Sequence, residues 1–157
     1  MLCALVVDDI KSNRQLLAKL VGNRGVQVDM VEDGQQAVDY IMEHGDKIDI
    51  IFMDNMMPVM TGVESTASCR NEIIGFGGLI IGVTGNTLPE DMHLFLDAGA
   101  DFILGKPVNV AQLDLIINHV KTHGKYSPKS KVHDSRYNET FKRQIEDLEH
   151  EVKSLRK

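Results

Sequence analysis

Five polar residues of this sequence stand where short apolar runs end, and their types suit phosphate chemistry. They are Asp8, Asp9, Asp54, Thr84 and Lys106. Carboxylates that converge repel one another unless a cation joins them, and a few oxygen ligands suit Mg²⁺, which keeps part of its water shell and takes phosphate oxygens. A lysine acts as a point charge on phosphate, a threonine hydroxyl can donate a hydrogen bond, and an aspartate can attack phosphorus to form an aspartyl phosphate. We therefore expect Mg²⁺-assisted phosphoryl transfer to a carboxylate.

The elements that must bring these residues together alternate along the chain. Apolar runs predict buried strands at residues 2–7, 26–31, 49–53, 79–83 and 102–104. Between them apolar residues recur at helical spacing, although serine and threonine dilute the apolar face of the third helix, residues 63–74. Five such pairs predict an α/β fold with a parallel sheet and right-handed crossovers. Ligands of such sheets bind beyond the carboxyl ends of the strands, where the five polar residues lie.

Each of these residues also has an ordinary structural interpretation. An aspartate after a strand is usually a turn or helix-cap residue, and a Lys-Pro pair after a strand is by itself a surface turn. Residues of these types at four strand ends, in the place where ligands bind, favour a shared site over independent turns.

The same residues lie within longer motifs that carry a family resemblance. These are Leu5-Val6-Val7-Asp8-Asp9, Met53-Asp54-Asn55-Met56-Met57-Pro58-Val59-Met60-Thr61-Gly62, Gly82-Val83-Thr84-Gly85-Asn86, Gly99-Ala100-Asp101 and Lys106-Pro107. Through them residues 2–122 resemble the receiver domain of two-component response regulators. The residues that follow Asp54 resemble those of receivers in hybrid histidine kinases. The resemblance implies a doubly wound, flavodoxin-like fold with a five-stranded parallel sheet in the order 2-1-3-4-5.

The resemblance also implies roles for the site residues. Asp54 would be the phosphoacceptor, and Asp8, Asp9, Asp54 and the backbone carbonyl of Met56 would bind Mg²⁺ as the cofactor. Lys106 would neutralise the phosphoryl oxygens, and Thr84 would be the hydroxyl that moves toward them. The face formed by the fourth helix, the fifth strand and the fifth helix would report the change.

Two positions depart from the family pattern. The family usually has an aromatic residue three positions before the lysine, but here that residue is Ile103, and Phe102 lies on the opposite face of the strand. An isoleucine cannot rotate in and out as a tyrosine does, so the usual relay from threonine to aromatic is in question. The apolar Met56 and the neighbouring Asn86 stand beside the phosphoryl site, and Met56 has no polar group to orient an attacking water. This favours a long-lived phosphoryl group.

Charge divides the chain into two parts. The protein has 157 residues and a formal net charge of −6, of which residues 1–123 carry −9 and residues 124–157 carry +3. We predict a receiver domain at 1–123, a polar linker at 124–136 and an amphipathic helix at 137–157. The negative charge of the first part disfavours nucleic-acid binding, and no apolar stretch is long enough for a membrane span. Two cysteines without a CxxC or Cys/His cluster favour a reducing cytoplasm.

The tail repeats apolar residues at spacings of three and four. Heptad positions a and d would hold Asn138, Phe141, Ile145, Leu148, Val152 and Leu155. A pair between Glu151 and Arg156 of two chains would support a parallel coiled-coil homodimer through residues 137–157. The alternative is an amphipathic helix that docks on its own domain or frays. The scattered basic residues of the tail do not form the dense basic helix that binds DNA.

The function expected from these observations is a signalling receiver that accepts a phosphoryl group on Asp54 and switches protein contacts. The donor would be a histidine kinase or a histidine phosphotransfer protein, and the chain would catalyse only its own phosphorylation and dephosphorylation. One alternative is a pseudo-receiver that serves as a scaffold or dimerisation module. Another is a haloacid-dehalogenase-type phosphatase, but that family places its nucleophile on the first strand with a second aspartate two residues on, whereas Asp8 and Asp9 are adjacent.

Overall fold

The computed structural model describes residues 1–131 and 135–155 and shows strands and helices in alternation. The strands are β1 (Cys3–Val7), β2 (Gln27–Val31), β3 (Ile50–Asp54), β4 (Leu79–Thr84) and β5 (Phe102–Gly105). The helices are α1 (Lys11–Gly22), α2 (Gly34–His44), α3 (Gly62–Arg70), α4 (Pro89–Ala98), α5 (Val110–His123) and α6 (Ser135–Ser154). All neighbouring strands pair in parallel, and the order β2-β1-β3-β4-β5 confirms the predicted fold class.

Successive side chains of each strand point to opposite faces of the sheet and pack into two apolar cores, one on each face. Phe52 and Leu104 point to the face that α1, α5 and α6 cover, whereas Ile51, Met53 and Ile103 point to the face under α2, α3 and α4. β3 and β4 are buried along their whole length, which is why their sequences read as continuous apolar runs. Because all neighbouring strands run parallel, their carboxyl ends meet at one edge of the sheet.

The third helix is shorter than the predicted 63–74, because Asn71 ends it. The Asn71 side chain accepts hydrogen bonds from the backbone N–H groups of Ile73 and Ile74, at 3.0 and 2.8 Å, and so competes with the helical pattern. The start of this helix is sharply defined by a capping box in which Thr61 and Glu64 bond reciprocally.

The segment 124–131 differs from the predicted polar linker, since it packs against the amino-terminal edge of the sheet. Ser127 is fully buried, donates from its hydroxyl to the Asp101 carboxylate at 2.6 Å, and accepts from Arg70 at 3.1 Å. The Lys129 ammonium donates to the carbonyls of Leu96 and Ala100 at 2.8 and 2.6 Å. These hydrogen bonds fix the segment on the domain.

The apolar stripe of α6 packs on the domain of its own chain. Ile145, Leu148 and Val152 are 7%, 5% and 2% exposed and belong to the core that α5 shares. Phe102 of β5, the edge strand of the sheet, belongs to the same core. This packing of α6 is the alternative of a helix docked on its own domain, and the parallel homodimer stays a prediction. The side chain of Asn138, and Arg156 with its predicted pair to Glu151, lie outside what the structure describes.

Among the described residues, no helix has both the length and the apolar character that crossing a membrane requires.

Candidate phosphoacceptor site

Three carboxylates meet at the carboxyl edge of the sheet. Asp54 is the last residue of β3, and Asp8 and Asp9 follow β1, its neighbour in the sheet. One oxygen of each carboxylate lies within 4.8 Å of the other two. Asp8 and Asp54 are buried, with side chains 6% and 9% exposed, whereas Asp9 is exposed. This is a compact set of hard oxygen donors that is open to solvent on the Asp9 side, and it suits a hydrated Mg²⁺ ion.

Lys106 bridges the two buried carboxylates. Its ammonium nitrogen lies 3.0 Å from Asp8 Oδ2 and 3.0 Å from Asp54 Oδ1. Lys106 follows β5 directly, and its position is fixed because the backbone N–H of Lys106 donates to the carbonyl of Thr84 at 3.0 Å. The second oxygen of Asp8 accepts from the backbone N–H of Ile10 at 2.9 Å, so Asp8 is held at both oxygens.

Burial and charge act in opposite directions on these groups. Desolvation raises the pKa of Asp54, although the hydrogen bond and the charge of Lys106 work against the rise. Burial alone would lower the pKa of Lys106, but its hydrogen bonds to Asp54 and Asp8 outweigh that effect and raise the pKa. The lysine is therefore a permanent positive charge beside a carboxylate that is poorly solvated.

Thr84 is the last residue of β4. Its hydroxyl oxygen accepts a hydrogen bond from the backbone N–H of Asn86 at 3.1 Å, and the residue is buried. The Asn86 side chain in turn donates to Asp91, in the first turn of α4, at 2.8 Å. The threonine is thus connected to α4 through one intervening residue.

The loop after β3 is held close to the acceptor strand. The Gly62 N–H donates to the Asn55 carbonyl at 2.9 Å, and the Asn55 side chain accepts from the N–H of Val63 at 3.2 Å. A Cβ on Gly62 would lie 2.0 Å from the backbone oxygen of Asp54, so only glycine fits there. Met56 lies in this loop and is 74% exposed.

Arg14 also lies at the site, although it belongs to no sequence motif. It is buried, its guanidinium donates to the backbone oxygen of Asp8 at 2.8 Å, and it lies 3.6 Å from the Glu32 carboxylate. The available signal was its spacing, because Arg14, Leu17 and Val21 are the buried residues of α1. A charged residue on a buried helical face needs a partner.

Ile103 lies where the relay aromatic was expected. It is 6% exposed and packs beneath α4, and a Cβ on Gly82 would lie 2.8 Å from its terminal carbon. Phe102 points to the other face, as the alternation of the strand predicts.

Comparison with known proteins agrees with the fold. The family model of the response regulator receiver domain matches residues 4–118. The chain is 35% identical over 119 residues to "Hybrid signal transduction histidine kinase I" of Dictyostelium discoideum, a match that covers 73% of this chain and 7% of that kinase. The chain thus spans a small part of that relative.

Solved structures show the same relationship. The receiver domain of sensor histidine kinase PA1611 from Pseudomonas aeruginosa, which has a magnesium ion coordinated in its active-site cleft, is 31% identical with a TM-score of 0.66, and the match covers 74% of this chain and 94% of that one. The Saccharomyces cerevisiae co-crystal of the histidine phosphotransfer protein Ypd1 with the Ssk1 receiver domain gives 25% identity and a TM-score of 0.67, over 75% and 87% of the two chains. The chain belongs to the response regulator receiver family.

Proposed function

We propose that this chain accepts a phosphoryl group on Asp54 from a histidine kinase or a histidine phosphotransfer protein and passes the signal on through protein contacts. The observation that carries the proposal is the bridge from Lys106 to both Asp8 and Asp54, 3.0 Å long on each side, next to a third carboxylate. The co-crystal of a phosphotransfer protein with a similar receiver supports this class of donor. In the proposal the chain acts in the cytoplasm and is not an enzyme for other substrates.

In the transfer step the Asp54 carboxylate attacks the donor phosphorus. The P–O bond to Asp54 forms as the P–N bond of the phosphohistidine breaks, and the bonding pair returns to the imidazole. The transition state spreads negative charge over the phosphoryl oxygens, so positioning and cationic groups supply most of the rate. Lys106 already lies 3.0 Å from the attacking carboxylate and needs only to turn toward the incoming oxygens.

Asp8, Asp9, Asp54 and the backbone carbonyl of Met56 would hold Mg²⁺. When bound, the ion neutralises charge on the carboxylates and on the phosphoryl oxygens. The close approach of three carboxylates supports this assignment, since Lys106 alone balances only one of their three charges.

Thr84 provides the switch in this proposal. Its hydroxyl oxygen accepts from the backbone N–H of Asn86, and its own O–H would donate to a phosphoryl oxygen on Asp54, which draws the β4–α4 loop after it. We expect α4, β5 and α5 to carry the readout, with Ile103 too short to act as a rotating aromatic.

A scaffold without a phospho-switch is the second candidate, and Ile103 at the relay position is the observation that favours it. The homodimer through residues 137–157 would require α6 to leave its own domain, since Ile145, Leu148 and Val152 are buried there.

Intact mass spectrometry after incubation with Mg²⁺ and acetyl phosphate tests the proposal. We expect one added phosphoryl group on the parent and on Glu72→Gln, a control that changes an exposed carboxylate elsewhere, but none on Asp54→Asn. Failure of the parent to bind either phosphoryl or beryllofluoride, with its fold intact, would favour the scaffold.

A further inference from the structure

Helix α6 covers the same surface that the proposed switch would move. One side of α6 lies along α5 in the opposite direction. The buried side-chain amide of Gln112, near the start of α5, donates to the Val152 carbonyl at 2.9 Å, and Tyr126, just after α5, stacks on Phe141 at 5.3 Å between ring centroids. The α4–β5–α5 face therefore has an occupant, and that occupant is part of the same chain.

Contact with α4 is looser than contact with α5. A cavity of about 320 Å³ lies between α4, β5 and α6, and it is lined by Pro89, Met92, Leu96, Ile103 and Val152, among others. The cavity leaves α4 and α6 incompletely packed here, so a shift of α4 changes the surface that supports Val152. On α4 the cavity extends from Pro89, the first residue of the helix, to Leu96.

Two routes lead from the acceptor site to α4 and to α5, the helices next to α6. The first runs from Thr84 through Asn86 to Asp91 in the first turn of α4. The second runs along the backbone from Lys106 to Asn109, the cap of α5, whose side chain lies 3.5 Å from the carbonyl of Leu155. In the proposed phosphorylation Thr84 gains a phosphoryl partner, and Lys106 turns toward the phosphoryl oxygens.

We infer that α6 is a built-in occupant of the α4–β5–α5 face and that phosphorylation of Asp54 releases it. The inference rests on the proposed function. The docked helix fits the α4 position in which Thr84 bonds to Asn86, so withdrawal of Thr84 toward Asp54 removes part of the surface on which Val152 rests. Release uncovers an apolar face and an apolar helix stripe, which are then open to a partner or to a second copy of the chain.

The coupling between α6 docking and phosphorylation must be reciprocal. If phosphorylation weakens the docking of α6, then weaker docking must strengthen binding of a phosphoryl mimic by the same factor. Val152→Asp removes a docking residue that is 2% exposed, whereas Leu155→Asp places the same charge at a residue that is 37% exposed. The two variants form a matched pair.

Hydrogen exchange of the full chain with and without Mg²⁺ and beryllofluoride tests the inference, with occupancy of the site followed by fluorine NMR on the same sample. We expect amides of residues 141–154 to exchange at least tenfold faster at saturation, while those of β1 and β3 stay protected. Val152→Asp should show fast exchange without the mimic and, by the same linkage, bind beryllofluoride at least tenfold more tightly, whereas Leu155→Asp should behave like the parent.

Failure of the inference and failure of the proposed function give different results. Unchanged or greater protection of α6 at full occupancy would overturn the inference and leave the phosphoacceptor function standing. Equal beryllofluoride affinity in both variants, with α6 exposed only in Val152→Asp, would also overturn it. Absence of bound beryllofluoride from a folded parent would remove the proposed function and the inference together.

Discussion

Replacement of Asp9 by asparagine should stabilise the metal-free protein and abolish most of its response to Mg²⁺. Asp9 is the exposed member of the carboxylate cluster, and among the described ion pairs Lys106 bonds to Asp8 and Asp54 but not to Asp9. The substitution keeps the size and polarity of the side chain. It therefore changes one charge in the cluster and little else.

The size of the effect follows from the distances. Charges up to 4.8 Å apart, at the effective dielectric of about 40 to 80 that suits an exposed group, repel by about 1 to 2 kcal/mol per pair. Asp9 faces two such charges, Lys106 offsets roughly one of them, and the amino-terminal dipole of α1 favours the aspartate by about 0.5 kcal/mol. The expected gain in the free energy of unfolding is thus about 1 kcal/mol, or roughly 2–4 °C in Tm.

Mg²⁺ should reverse the order of the two proteins. At a concentration 100 times its Kd, a ligand that binds only the folded state stabilises it by about 2.7 kcal/mol. The parent should gain that amount, whereas Asp9→Asn, with a weakened site, should gain much less. Thermal unfolding followed by circular dichroism, with EDTA or with Mg²⁺, gives both comparisons, and Glu72→Gln serves as a control for net charge.

A metal-free Asp9→Asn protein that is less stable than the parent would show that repulsion does not dominate the cluster. Equal gains from Mg²⁺ in the parent and in Asp9→Asn would show that Asp9 does not bind the ion. Either result would refute the reasoning about the cluster.

Three further predictions concern residues outside the carboxylate cluster. Arg70→Met should lower the free energy of unfolding by about 3–5 kcal/mol, because it leaves the fully buried Asp101 carboxylate without its ion pair; adding Asp101→Asn should restore part of the loss in urea unfolding. Gly62→Ala should lower both stability and Mg²⁺ affinity, since its Cβ would meet backbone at 2.0 Å, whereas Gly22→Ala, with open space around its Cβ, should be neutral or stabilising in the same titration. Burial, helped by a neighbouring histidine, lowers the pKa of His119 to about 4 from the ordinary 6.5, so the unfolded chain takes up a proton between these values that the folded chain does not. The parent should therefore lose about 1–2 kcal/mol more than His119→Asn when the pH falls from 7 to 4, a figure reduced for the partial exposure of the ring; parallel loss in both proteins would contradict it.

The sheet and the cluster at its edge were predictable because their signals are local. Continuous apolar runs such as 49–53 and 79–83 require strands buried on both faces, and alternation with helices requires parallel pairing. Once the strands are parallel, residues that end them must meet. Asp8, Asp54, Thr84 and Lys106 all lie where that argument places them.

The contacts of the tail were not predictable, because they depend on distant parts of the chain. The stripe of Ile145, Leu148 and Val152 is equally suited to a coiled coil and to a groove on the same domain, and only the shape of the groove decides between them. Ser127 reads as a linker residue until Asp101 and Arg70 are known to face it, 26 and 57 residues away in sequence.

Chemical mapping of the phosphorylated residue tests the central claim most directly. Borohydride reduces an acyl phosphate to the alcohol, so treatment of the protein with Mg²⁺ and acetyl phosphate, followed by borohydride and peptide mass spectrometry, converts the acceptor aspartate to homoserine. We predict conversion at position 54 alone, dependent on Mg²⁺ and lost in Lys106→Met. Conversion at Asp8, at Asp9 or at another carboxylate, with position 54 intact, would contradict the assignment of Asp54 as the acceptor.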